Sequence, residues 1–359
     1  MESVAVMDTD AFRGKRALIT GHTGFKGAWL AIWLEKLGAQ VTGVALDPTD
    51  QRCLYTRSGI GERIRDLRCD MRDGARVREL FAAERPELVF HLAAQALVLE
   101  SYRTPIETFD VNVMGTAHVL EAIRHAPSVK AAVMVTTDKC YENHERAEGY
   151  VETDALGGHD PYSASKGAAE IVIASYRRSF FFGEGAAGIA SARSGNVIGG
   201  GDRSADRIVP DLFRAVETGT PLIVRNPGSV RPWQHVLEPL QGYLLLAARL
   251  LKEPARYAEA WNFGPSHEQV HTVRDLVETM IARIGKGEWR QADEGAKPHE
   301  AGLLMLDINK AIAGLGWEPR LSFVDTVRLT ADGYTGMDGS DVLGLCRAQI
   351  DEYERLGDH

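Results

Sequence analysis

The chain has 359 residues, too many for one ordinary domain and comfortable for two packed ones. Hydrophobic residues make up 44% and charged residues 25%, close to globular averages, so a core of useful size can form. The net charge of −9 argues against non-specific binding to nucleic acid, whose phosphates demand a basic face, and leaves room for an anionic small ligand held by local loops.

Met1 to Lys15 lacks the apolar segment of a signal peptide and reads as a loose lead-in. Arg16 to Thr20 is a short apolar run that ends at a glycine turn, the pattern of a strand. Phe25 to Leu37 is helix-like, with Trp29, Ile32, Trp33 and Leu37 at three- to four-residue spacing. Between the two, Gly21, Gly24 and Gly27 form a GxxGxxG pattern. Glycine there lets the backbone approach a diphosphate, and the helix start presents free N–H groups to it. Gln40 to Leu46 reads as a second strand. Asp47 follows it, 26 residues after Gly21, where a carboxylate can accept hydrogen bonds from adenosine ribose hydroxyls and repel a 2′-phosphate. This favours NAD over NADP. Asp70, closing LRCD, is a candidate partner for the adenine ring.

Leu88 to Ala93 and Ala131 to Thr137 are further strands, and Pro105 to His125 between them has a long helical pattern. Buried strands alternating with amphipathic helices imply an α/β fold with a parallel sheet covered on both faces. Pro161 then suits the first turn of a helix. Tyr162 and Lys166 stand one turn apart on one face of it. A nearby ammonium, together with a positive nicotinamide ring, is expected to favour the phenolate, bringing the tyrosine below its free value of about 10. A phenolate can take a proton from a sugar hydroxyl while hydride leaves the carbon. Beyond about Gly188 the chain becomes richer in Gly, Pro and Arg. We expect a first domain over 1–187, with returns around 233–264, and a smaller mixed domain over 188–359. Cys53, Cys69, Cys140 and Cys346 form no CxxC pair and no metal-ligand cluster, so the thiols are expected reduced, with no metal site. No run of 18 apolar residues suggests a membrane span.

GxxGxxG, HLAAQ at 91–95, Asn112 and YxxxK at 162–166 together resemble the extended short-chain dehydrogenase/reductase family. TTDKCY at 136–141, SGNVIGGGD at 194–202, RNPGSVRPWQHV at 225–236 and WNFGP at 261–265 resemble, within it, the 4,6-dehydratases acting on CDP-glucose. The resemblance implies a doubly wound Rossmann sheet that binds NAD through Gly21, Thr23, Gly24, Phe25, Gly27, Asp47, Asp70, Leu92, Ala93, Ala94, Thr136, Tyr162 and Lys166. It implies a smaller domain for a nucleotide sugar, CDP-glucose favoured, bound by Gln95, Asn196, Arg207, Arg231, His235 and His299. Tyr162 and Lys166 become the oxidising pair, Thr137 a hydrogen-bond partner of the sugar O4, Asp138 the acid and Lys139 the base of an elimination. It further implies a cytoplasmic homodimer or dimer of dimers, built on Pro105 to His125 and Tyr162 to Phe182. Leu99 departs from the pattern, which has a basic residue near that place. A sibling 4-epimerase or decarboxylase, and a non-catalytic NAD-binding sensor, remain open at this point.

Overall fold

A computed structural model describes residues 9–266, 271–292 and 303–356. Seven strands form one parallel sheet: β1 (Arg16–Thr20), β2 (Gln40–Ala45), β3 (Arg65–Arg68), β4 (Leu88–His91), β5 (Ala131–Val135), β6 (Gly188–Arg193) and β7 (Ala260–Asn262). Their spatial order is β3-β2-β1-β4-β5-β6-β7, with Ala17 level with Val41 on one side and Leu88 on the other. The order reverses between β1 and β4, and the crevice at that point is where such sheets take a dinucleotide.

Every residue of β5 and β6 is buried, because helices cover both faces of the sheet. On one face the helix Phe25–Lys36 is buried all round from Gly27 to Leu34, since the C-terminal helix Val342–Arg355 covers its outer side. Trp33 Nε1 donates to Glu354 Oε1 at 2.8 Å across that contact. The other face holds a core of Val119, Leu120, Ile123, Met134 and Ile173.

The helical pattern expected over 105–125 holds, with one irregularity. Pro105–Phe109 and Gly115–Arg124 are α-helical, and Asp110–Met114 between them is a π turn. The lead-in is shorter than expected, because Phe12 is fully buried in the main core. β3 was not visible in the sequence: RDLR has one apolar residue, which suffices for a strand at the sheet edge.

The smaller region has its own core, in which Leu212, Phe213, Leu276, Met280 and Tyr334 meet, the rings of Phe213 and Tyr334 stacked at 4.0 Å. Short two-stranded pairs link it: Leu222–Val224 with Trp289–Gln291, Val197–Ile198 with Gln234–His235, and Val230–Arg231 with His271–Thr272. The first strand after residue 187 still belongs to the main sheet. β6 is an interior strand of the main sheet, and its apolar side chains are needed there. The C-terminal helix also belongs with the first body, packed on Phe25–Lys36.

Candidate active site

A cleft of about 790 Å³ runs between the two regions, over the ends of β1, β4 and β5. Its first wall is mostly backbone. Gly21 follows β1 with φ +79°, and a Cβ there would lie 2.7 Å from the Ala93 amide nitrogen. A Cβ on Gly27 would overlap the Gly21 carbonyl. The glycine loop, the helix start and the end of β4 therefore meet at a distance that only glycine permits. The helix begins at Phe25 with no side chain capping it, so its first N–H groups face the cleft. This cradle fits a diphosphate. Thr23, Gly24, Phe25, Leu92, Ala93, Ala94 and Asp70 all line the same wall. Arg72 grips the Asp70 carboxylate and holds its pKa below the usual value. Asp47 is different. It stands two residues past β2, 84% exposed and bonded to Arg68 Nε at 2.5 Å, while its neighbours Ala45 and Leu46 line the cleft.

The centre of the cleft is where β5 ends. Thr137 caps a single turn, Asp138–Cys140, and donates to Asp138 Oδ1 at 2.9 Å. Asn196 Nδ2 donates to Asp138 Oδ2 at 3.3 Å. A side chain on Gly195 would collide with that carboxylate, so the glycine makes room for the acid. Opposite, Asp160 caps the helix Pro161–Phe180 by accepting from the Ser163 amide at 2.9 Å, with Pro161 in the first turn. Tyr162 and Lys166 project from this helix into the cleft, and Lys166 Nζ donates to the Val135 carbonyl at 3.4 Å. Thr136, Thr137, Asp138, Lys139, Tyr162 and Lys166 thus line one space.

Burial pushes Tyr162 up to about 12, against the downward pull of a hydrogen bond with Thr137 and of the Arg207 charge. In the protein alone desolvation outweighs these pulls; the expectation of a phenolate counted the positive nicotinamide ring as well. Burial also pushes Lys166 down to about 8, with Glu170 and Cys140 opposing.

The second wall is made of side chains on loops and on a short strand. Asn196 (φ +51°), Arg207 and Arg231 line it. Arg207 is held by Asp202 at 2.9 Å. Two expected substrate contacts do not reach the cleft. Gln95 turns its amide back on its own loop, donating to the Leu97 carbonyl and the Thr108 hydroxyl and accepting from the Leu97 amide. His235 is fully buried, edge-on to Trp29, with its pKa lowered to about 3 by burial first. Its strand pairs with Val197–Ile198, which turns that ring into the interior. His299 lies outside the described residues. Leu99 does line the cleft. Among the described residues no His, Cys, Asp and Glu cluster could hold a metal.

Lys26 escaped the sequence reading. It lines the cleft and donates to the Ser194 hydroxyl at 2.9 Å and the Tyr243 hydroxyl at 2.7 Å. Burial first, then the charges of Lys166 and Arg207, bring it down to about 7. A lysine between two motif glycines was the available signal; its partners, far along the chain, were not readable.

Comparison with known proteins gives the family and the fold. Residues 18–330 match the family model described as GDP-mannose 4,6 dehydratase. A CDP-glucose 4,6-dehydratase of Salmonella typhimurium is 44% identical over 97% of this chain and 98% of its own length. The NAD complex of a UDP-glucose 4-epimerase from Thermus thermophilus superposes with a TM-score of 0.77 at 27% identity, covering 89% of this chain and 99% of the other. A dTDP-glucose 4,6-dehydratase of Streptomyces venezuelae, solved with NAD, shares the fold at a TM-score of 0.75 and 24% identity, over 89% and 97% of the two chains.

Proposed function

The chain belongs to the nucleotide-sugar 4,6-dehydratase family defined by the GDP-mannose 4,6 dehydratase model, and from that premise we propose that it converts CDP-glucose to CDP-4-keto-6-deoxyglucose and water. The observation that carries this reading is the adjacency of Asp138 and Lys139 to Tyr162 and Lys166 around one cleft. A 4-epimerase needs an oxidising pair and no elimination pair; here both line the same space.

NAD, when bound, supplies the site that accepts hydride from C4 of the sugar and returns it to C6. The glycine loop from Gly21 to Gly27 would hold its diphosphate, and Asp70 would face its adenine end. Tyr162, as phenolate, takes the proton of the 4-hydroxyl. The ammonium of Lys166 favours that phenolate, and the positive ring of NAD, when bound, would supply the further charge needed to offset the burial that keeps the phenol neutral in the protein alone. Thr137 holds the sugar O4 beside Tyr162. With C4 a ketone, the C5 proton is acidic. Lys139 removes it, and Asp138 gives a proton to the 6-hydroxyl, which leaves as water; once the hydride is back on C6, Lys139 returns the proton to C5, and solvent carries the proton held by Tyr162 back to Asp138. Arg231 and Arg207 suit the diphosphate of the sugar nucleotide, because a guanidinium donates two parallel hydrogen bonds.

The exposed apolar residues Ile106, Phe109, Met114 and Ile171, on the helices flanking the cleft, fit burial against a second copy as a homodimer. Ile171→Glu is expected to give a monomer by sedimentation. The four free thiols suit a reducing compartment, and the reading puts the protein in the cytoplasm. The direct test offers CDP-glucose, dTDP-glucose and GDP-mannose in turn and weighs the product. Loss of one water from CDP-glucose, faster than from the others, is expected. A product of unchanged mass, an epimer, would defeat the proposal.

A further inference from the structure

Behind the catalytic turn lies a set of buried polar groups that takes no part in the steps above. Glu170 stands one helical turn beyond Lys166 and is 2% exposed. Its Oε1 accepts from the Thr136 hydroxyl at 2.5 Å. Its Oε2 accepts from the Ser191 hydroxyl at 2.8 Å and from Arg193 Nη2 at 2.7 Å. Arg193 is 3% exposed. Its Nη1 donates to the Tyr141 hydroxyl oxygen at 2.7 Å and to the Glu152 carbonyl at 3.1 Å, with the guanidinium over the Tyr141 ring. The Tyr141 hydroxyl donates to Asn262 Oδ1 at 2.7 Å.

Thr136 and Tyr141 bracket Thr137, Asp138 and Lys139. The carboxylate of one ion pair holds the start of that segment and the guanidinium holds its end. A buried ion pair seldom stabilises a fold more than well-packed apolar side chains of the same volume would. Stability alone gives no reason for this one, whereas orientation of a two-group catalytic turn does.

We propose that the Glu170–Arg193 ion pair is a clamp that fixes Thr137, Asp138 and Lys139 against Tyr162, making Glu170 and Arg193 positioning residues for the dehydration. The role in dehydration rests on the functional reading above. Glu170 acts a second time, on Lys166. The titratable groups that face this lysine are Glu170 on its own helix, Cys140 on the turn after β5, Lys26 in the first turn of the helix Phe25–Lys36 and His91 at the end of β4. Glu170 is the carboxylate among them, and it opposes the loss of the ammonium that burial promotes.

The test uses Glu170→Gln, Glu170→Asp and Tyr141→Phe in the NAD-loaded protein. Glu170→Gln is expected to lower kcat about 100-fold with KM within about twofold, the scale of a misplaced catalytic group. Its alkaline limb should move to lower pH, since Lys166 without its anion loses its proton sooner. Glu170→Asp should recover part of the rate. Tyr141→Phe should cost about tenfold, a smaller misplacement on the same scale, and leave the limb in place. Independently of turnover, deuterium uptake across residues 136–141 should quicken in both the Gln and Phe variants. A folded Glu170→Gln protein with wild-type kcat, alkaline limb and uptake overturns the clamp. Where the Gln variant does not fold, wild-type uptake in Tyr141→Phe overturns it instead. Wild-type protein that removes no water from CDP-glucose overturns the functional reading, and the clamp is then decided by the deuterium uptake.

Discussion

The two walls of the cleft are built from different materials. The cofactor wall is made by contiguous backbone, with Gly21 and Gly27 pressed against the end of β4 and the following helix. The opposite wall is made by side chains from separate parts of the chain, Asn196, Arg207 and Arg231, each braced by neighbours. A backbone wall has no tolerance for added atoms. A side-chain wall can lose one contact and keep its shape. Damage to the first should therefore be total, and damage to the second graded.

Gly27→Val tests the total case. Its side chain would overlap the Gly21 carbonyl, so the loop must open. Cofactor binding should be lost in equilibrium dialysis, with a stability loss of about 2–3 kcal/mol, the scale of overpacking. NAD affinity within about tenfold of wild type, a change worth only 1.4 kcal/mol or so, would break the comparison. Tyr162→Phe comes next, at the seam of the walls. It should cost about 1,000-fold in kcat, within the usual span for a general base, with NAD affinity retained. Arg231→Ala probes the graded wall. KM for the nucleotide sugar should rise about tenfold while NAD affinity is unchanged, since a charge-assisted contact is worth about 1.5–3 kcal/mol at most. An equal loss for the two ligands would show that the walls are not separate.

The smallest effect concerns His235, which belongs to neither wall. His235→Gln should leave KM within about twofold, because the ring touches no part of the cleft. Its effect should appear in stability against pH. The folded histidine titrates at about 3, below its ordinary 6.5, so the unfolded chain takes up the proton first. The stabilisation from the neutral ring is complete above pH 6.5 and is lost as pH falls towards 3, at up to about 1.4 kcal/mol per pH unit. The urea midpoints of variant and wild type should draw together as the pH is lowered from about 7 to about 5.

The same division governs what the sequence disclosed. β1, the glycine loop and the helix after it are local, so periodicity and spacing show them directly. The pair Tyr162 and Lys166 is local too, one turn apart on one helix. The meeting of that helix with Thr137, Asp138 and Lys139 came from family resemblance, because no spacing rule joins a helix to the end of a strand that precedes it across a long loop. Gln95 and His235 stand away from the cleft for one reason: a polar residue in a recognisable motif can serve the scaffold. Gln95 closes its loop and His235 fills the core. The upward shift of Tyr162 was not legible either, since it depends on burial that only the folded chain creates.

The π turn at Asp110–Met114 puts one additional residue into a helix. It offsets the angular phase of the segment before it from that of the segment after it by roughly 100°. Asn112 sits at the offset, buried, and grips the Gln95 backbone at both its amide and its carbonyl. Glu107 and Val111 thereby face the cleft, while Ile106 and Met114 face outward on the same short rod. Removing a single residue here would rotate one set away from its task to keep the other, so the outer surface of this helix and the loop at Ala93–Leu97 are geared together.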